Sequence, residues 1–262
     1  MTASTASPDV PAPRGAAFLL LVDARLPTGG HAHSGGMEEA VASGTVRGVP
    51  DLPEWLRGRL TTVGLVDAAF AAAAHARAAD SRAGDSRVGD SRAGDDGVAG
   101  GDHRDGWWAE LASEWAARTV SPALRAAGRA QGRGLVRAAR ACWPHPVLDG
   151  LAADLPDGAP WPLALGAAGF AAGCPVDQLT VAAAAAAVTA PAWATTRLLG
   201  TDPFAVAATL AALAGAIDEV ARDAVRLTAG AVPARELPAS SAPLLDLGAQ
   251  HHADWEVRLF AS

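Results

Sequence analysis

Residues 51–74 read DLPEWLRGRLTTVGLVDAAFAAAA. Asp51 followed three residues later by Glu54 has the form of a capping box, and Leu52, Leu56, Leu60, Val63, Phe70 and Ala74 then recur at helical spacing. Asp67 falls on or beside that stripe, where it is either a rim carboxylate paired with an arginine or a buried polar contact near a partner surface. The rest of the chain has the same character. Half of its 262 residues are hydrophobic, alanine dominates that half, only 5% are aromatic, and tyrosine is absent. Alanine favours helix and disfavours strand, and no run of alternating valine, isoleucine or aromatic residues argues for a sheet. The expected fold is therefore all-α, a single-domain helical bundle over residues 16–262.

Outward from this segment, other helix ends are legible. Trp107-Trp108 resumes the helical pattern, Ser121-Pro122 is an N-cap followed by proline, Gly173-Cys174-Pro175 is a stop and restart, and Asp202-Pro203 opens a further helix with Phe204, Val206, Leu210, Leu213 and Ile217 as apolar contacts. Gln178 to Thr196 is uncharged and nearly long enough to cross a bilayer. Its alanines and threonines gain little from hydrocarbon and Pro191 interrupts it, so a helix buried among helices is expected, and no membrane role.

Three regions depart from helix. Residues 1–15 are small, polar and proline-rich, as in a flexible arm. A five-residue motif, Asp-Ser-Arg-x-Gly, repeats three times from Asp80, and residues 80–105 are expected to form a disordered loop inserted into the domain. Proline-rich Val232 to Pro243 then separates the bundle from a tail, residues 244–262. The run Ala16 to Val22 lacks a basic region before it, which argues against a signal peptide. Cys142 and Cys174 form no CxxC pattern and are expected as two buried thiols in a reducing cytoplasm.

Composition and motifs also limit function. The net charge of −7 and the pI near 5.4 argue against a protein that coats nucleic acid. All 21 basic residues are arginine, so no P-loop lysine exists. Ser34 lies near two histidines, but residue 32 is alanine and the nucleophile elbow is absent. No enzyme is expected, and no cofactor. His31 with His33 and His251 with His252 could in principle join the two ends of the chain in one nickel or zinc site, a weak signal without cysteine or carboxylate at defined spacing. Arg125, Arg129, Arg133, Arg137 and Arg140 share one helix face, solvated, docked on an acidic partner or, less favoured without interleaved aromatics, on nucleic acid, with Gly128 and Gly132 on a neighbouring strip able to admit another helix.

The glycine turn Leu26-Pro27-Thr28-Gly29-Gly30-His31-Ala32-His33-Ser34-Gly35-Gly36 enters a helix at Met37-Glu38-Glu39, with Ser34 placed to cap its first N–H groups and Met37, Ala40 and Val41 on one face. This opening, Leu124-Arg125 followed by Gln131-Gly132-Arg133, His145-Pro146, the small-residue helix around Gly166, Arg197-Leu198 and the closing Arg258-Leu259-Phe260-Ala261-Ser262 together resemble the urease accessory protein F (UreF) family from Phe18 to Ser262. The residues 80–105 are the main unmatched piece. Three positions depart: His33 stands where an aromatic residue is frequent, Gly200 precedes Thr201-Asp202 where a glutamine is usual, and Ala253 replaces an acidic residue after the tail histidine.

The resemblance implies a cytoplasmic, homodimeric scaffold. It would bind the D-type accessory protein (H in some species), recruit the GTPase UreG, and dock on apo-urease to support nickel insertion. The partner-binding residues it suggests are Pro27, His33, Ser34, Gly35, Glu38, Arg125, Arg129, Arg133, Arg197, His252, Trp255, Arg258, Leu259 and Phe260. In such proteins the tail and the segment near the first glycine turn order on binding the D-type partner, for which Trp255, Leu259 and Phe260 would be apolar anchors. The alternative is a nickel carrier built on His31, His33, His251 and His252.

Overall fold

The computed structural model describes residues 15–88, 106–230 and 232–260. The expected arm and most of the expected loop lie outside the described residues. Among those described there is helix and no strand. Two short helices, α1 (Gly15–Leu21) and α2 (Met37–Ala42), flank the glycine turn. A long rod follows, α3 (Leu52–Arg59) and α4 (Leu65–Val88), joined by a π-helical turn at Leu60–Gly64. There the Thr62 hydroxyl donates to the Gly58 carbonyl at 2.7 Å, supplying a partner where the regular ladder is disturbed.

Then come α5 (Trp107–Arg118), α6 (Pro122–Cys142), α7 (Pro146–Asp154), α8 (Trp161–Ala171), α9 (Val176–Leu198), α10 (Pro203–Ala212), α11 (Ala214–Thr228) and α12 (Pro243–Ala253). Helix α4 occupies the centre, packed on α8, α9 and α11, and α6 covers another side of α8. The α4/α8 crossing is close because Gly166 has no side chain: a Cβ there would stand 2.4 Å from the Ala71 carbonyl oxygen. Leu52, Leu56, Leu60, Phe70 and Ala74 are all fully buried, as their spacing predicts.

Several local expectations need correction. Asp51 does not cap α3; its carboxylate accepts instead from the backbone and guanidinium of Arg47, so the side chain is turned away from the helix. Pro191 lies inside α9 without ending it. Proline has no N–H for the Ala187 carbonyl four residues back, and Arg59 Nε donates to that oxygen at 2.8 Å in its place. Helix α4 continues past Asp80 to Val88, and the region assigned to the tail contains α12. Phe204 is 85% exposed, and Cys142 is exposed while Cys174 is buried.

By length and composition α9 could cross a membrane, but 56% of its apolar window is buried inside the protein, as befits a core helix. Ser121 and Asp202 do cap α6 and α10, accepting from the Leu124 and Phe204 amides.

Candidate functional site

The two ends of the chain meet on one carboxylate. Gly35 and Gly36 both take positive φ, +60° and +89°, and this reversal delivers the chain into α2 with Glu38 pointing inward. Ser34, itself buried, accepts from the Glu38 amide at 3.4 Å, so it does cap the first turn although Gly36 holds the N-cap position. Glu38 is 7% exposed. Its carboxylate accepts three hydrogen bonds: His252 Nε2–H at 2.8 Å, the Leu259 amide at 2.8 Å and the Phe260 amide at 3.0 Å. A buried carboxylate is tolerated only when donors replace water, and here both backbone and side-chain donors come from the C-terminal segment.

Around this lock the tail packs on the chain. Phe260 is buried under the Arg197 guanidinium, 4.5 Å from ring centroid to Cζ. Trp255 tilts against His252 with ring centroids 4.7 Å apart. The tail, expected to order on a partner, is thus already folded on its own chain. Phe260 and His252 serve as internal anchors, while Arg258 and Leu259 between them remain exposed. Pro27 is exposed too, and Gly35 is half-buried against Arg59 and Pro191.

The arginine face of α6 is less free than its spacing suggests. Arg125 donates to the Thr119 and Val120 carbonyls, Arg133 to the Asp157 carbonyl, and Arg140 pairs with Asp149 at 2.6 Å. These bonds tie α6 to the segments that flank it. Gly128 and Gly132 do admit close neighbours, the Trp115 ring and the Ala159 backbone.

The side chain of His31 lies outside those described, and the other three histidines do not converge as a metal centre. His252 is held by Glu38, exposed His251 lies 3.9 Å from Glu39, and His33 borders a partly open cavity. Among the described residues no group of three or more potential metal ligands occurs.

Sequence reading missed two features. One is an apolar groove of about 660 Å³ between α2, α3 and α12, bordered by Trp55, Leu244 and Leu247, with Leu244 83% and Leu247 67% exposed. The signal was Pro243-Leu244-Leu245, an N-terminal proline followed by leucines, read as tail. The other is the role of Arg59. Among the described residues Asp67 does not pair with an arginine; it accepts from Trp115 Nε1–H at 3.1 Å, a part-buried polar contact.

Residues 46–214 match the UreF family. Among curated relatives, the urease accessory protein UreF of Mycolicibacterium vanbaalenii is 43% identical over 247 residues, covering 94% of this chain and 98% of the relative. The protein of the same name in Mycobacterium sp. (strain JLS) is 41% identical with 94% and 97% coverage. That of Mycobacterium tuberculosis is 35% identical over 250 residues with 94% and 98% coverage. This coverage takes in most of the chain on either side of the family match, and the chain belongs to the UreF family.

Proposed function

We propose that this urease accessory protein acts as a cytoplasmic scaffold in urease maturation, bridging the D/H-type accessory protein and the GTPase UreG on apo-urease to support nickel insertion. The observation that carries this reading is the Glu38 lock. It fixes a tail whose Phe260 faces inward while Val257 and Leu259, 83% and 61% exposed, face out. Exposed apolar residues held on a rigid support are pre-organised for a protein partner, because little conformational entropy remains to be lost. We assign the D/H-type protein to this surface, with Pro27, Trp255 and Arg258 at its edge.

The arginines of α6 that keep exposed surface would contribute charge toward the acidic faces of partners. In this reading the chemistry belongs to the GTPase, and binding energy from the scaffold biases UreG toward the conformation competent for metal release. A homodimer of this chain would present two copies of each surface.

The test is light scattering with size-exclusion chromatography on the purified chain, alone and mixed with the D-type protein and UreG from the same source. A stable complex that is lost on truncation before Gln250 supports the scaffold. If no complex forms while the chain alone retains nickel, the scaffold reading falls and the carrier takes its place.

A further inference from the structure

Next to the glycine turn, Arg59 and Asp67 border a chamber of about 120 Å³ whose wall also includes His33, Trp115, Gln131 and Trp161. The chamber continues into a cleft of about 680 Å³ that shares Arg59, Asp67, Gln131 and Trp161. Arg59 uses Nε on the Ala187 carbonyl, and Asp67 uses Oδ1 on the Trp115 indole. Among the described residues neither makes an ion pair, with the other or with any third group. Yet the two charges feel each other through the protein. Among the described residues no buried side-chain N or O lacks a partner, so the unbonded guanidinium Nη groups and Asp67 Oδ2 keep some accessible surface. Both side chains line the chamber and the cleft, and Arg59 also borders the groove at Leu244. Arg118 and Asp246, also on its wall, are already engaged, the first by Glu114 and several carbonyls, the second by the Ser121 amide.

The chamber wall thus carries one positive guanidinium and one negative carboxylate that make no ion pair with each other. A simple anion would satisfy Arg59 but face the Asp67 carboxylate. A metal cation would find one carboxylate and a repelling arginine. A neutral amide could hydrogen-bond both ends but would match neither charge. A molecule with an anionic and a cationic end matches both, and each contact is then a charge-assisted hydrogen bond. We propose that this chamber binds a small zwitterion of the α-amino-acid class, its carboxylate on Arg59 and its ammonium on Asp67, with the side chain directed into the cleft. The chamber exceeds the room one water needs, and two part-buried charges without a direct pair lower stability, a pattern typical of binding sites.

Isothermal titration of the full chain at about pH 7.5, where free amino acids are zwitterions, tests this with glycine, L-alanine and L-leucine, alongside acetate, methylammonium and acetamide. Saturable one-site binding of at least one amino acid, with none of the three half-molecules matching it, is expected. Asp67→Asn keeps an oxygen for the Trp115 indole and, with helix content checked by circular dichroism, should weaken that binding about tenfold or more. The proposal is overturned if no amino acid binds at millimolar concentration, if acetate, methylammonium or acetamide binds as tightly, or if the asparagine variant binds like the parent. The first and second outcomes are read on the unaltered chain and need no variant.

Discussion

Glu38 and Asp67 are both carboxylates enclosed by helices, and they are treated in opposite ways. Glu38 has three donors on its two oxygens, from three residues far along the chain, and its cost of burial is offset. Asp67 has one donor, the Trp115 indole. Burial pushes its pKa from 3.8 up to about 6, against the opposing pull of that indole and of Arg59. A saturated carboxylate builds structure. A partly satisfied one at a cavity keeps capacity for something else.

The sharpest way to break this contrast is Glu38→Ala. It leaves the His252 ring and two backbone amides without their acceptor, a loss of about 3 kcal/mol or more by analogy with other broken buried pairs. The C-terminal segment can undock, so that loss is bounded by the free energy of tail release and the helical core survives. Hydrogen exchange checks this: the Leu259 and Phe260 amides should move to solvent rates while α4 stays protected. Loss of the α4 protection as well would mean that the lock supports the whole fold.

Asp67→Asn should act in the other direction. An acid whose folded pKa is raised favours the folded state when protonated, so the ionised form is a liability that is full above about pH 6 and gone below about pH 4. The variant should gain about 1–3 kcal/mol at about pH 7.5, with the gain shrinking as pH falls through that window. Thermal melts at several pH values measure it. A pH-independent gain would show that packing, rather than charge, is responsible.

Arg59 links the two regions, because its Nε replaces the hydrogen bond that Pro191 removes from α9. Arg59→Met in the native background should orphan the Ala187 carbonyl. With Pro191→Ala the chain regains an N–H for that oxygen, and the same arginine change should cost less. The double-mutant cycle should therefore show a coupling of about 1 kcal/mol in denaturant melts, and additivity would remove Arg59 from this role.

How far these regions could be read in advance differs for a physical reason. Helix content and ends follow from local rules, so Ser121, Asp202 and the 52–74 stripe were legible. Glu38, His252 and Phe260 could be singled out only through a family resemblance, as partner-binding residues, and their contact with one another was not legible, since 214 residues separate the first two. What no local pattern carries is which partner a polar group finds. Asp51 had the spacing of a cap and chose Arg47; Asp67 was weighed against arginine and chose an indole; Pro191 looked like a helix break and was rescued by a side chain 128 residues distant from the carbonyl it exposed. The groove at Leu244 was hidden because α12 follows a proline-rich stretch that reads as the start of a tail.

The smallest effect expected concerns Arg197. Its guanidinium covers the Phe260 ring, a contact of about 0.5–1 kcal/mol at a site open to solvent on one side. Arg197→Gln removes the charge but keeps much of the aliphatic cover, so the tail should remain docked, with the Glu38 hydrogen bonds intact and the Phe260 amide exchanging a few-fold faster. If the proposed D/H-type partner uses the docked tail, its binding should hardly change, because a few-fold rise in a minor undocked state leaves the docked fraction near one. If Arg197→Gln instead abolishes that complex while Phe260 exchange is unchanged, Arg197 touches the partner directly, and the partner surface extends from the tail across the end of α9.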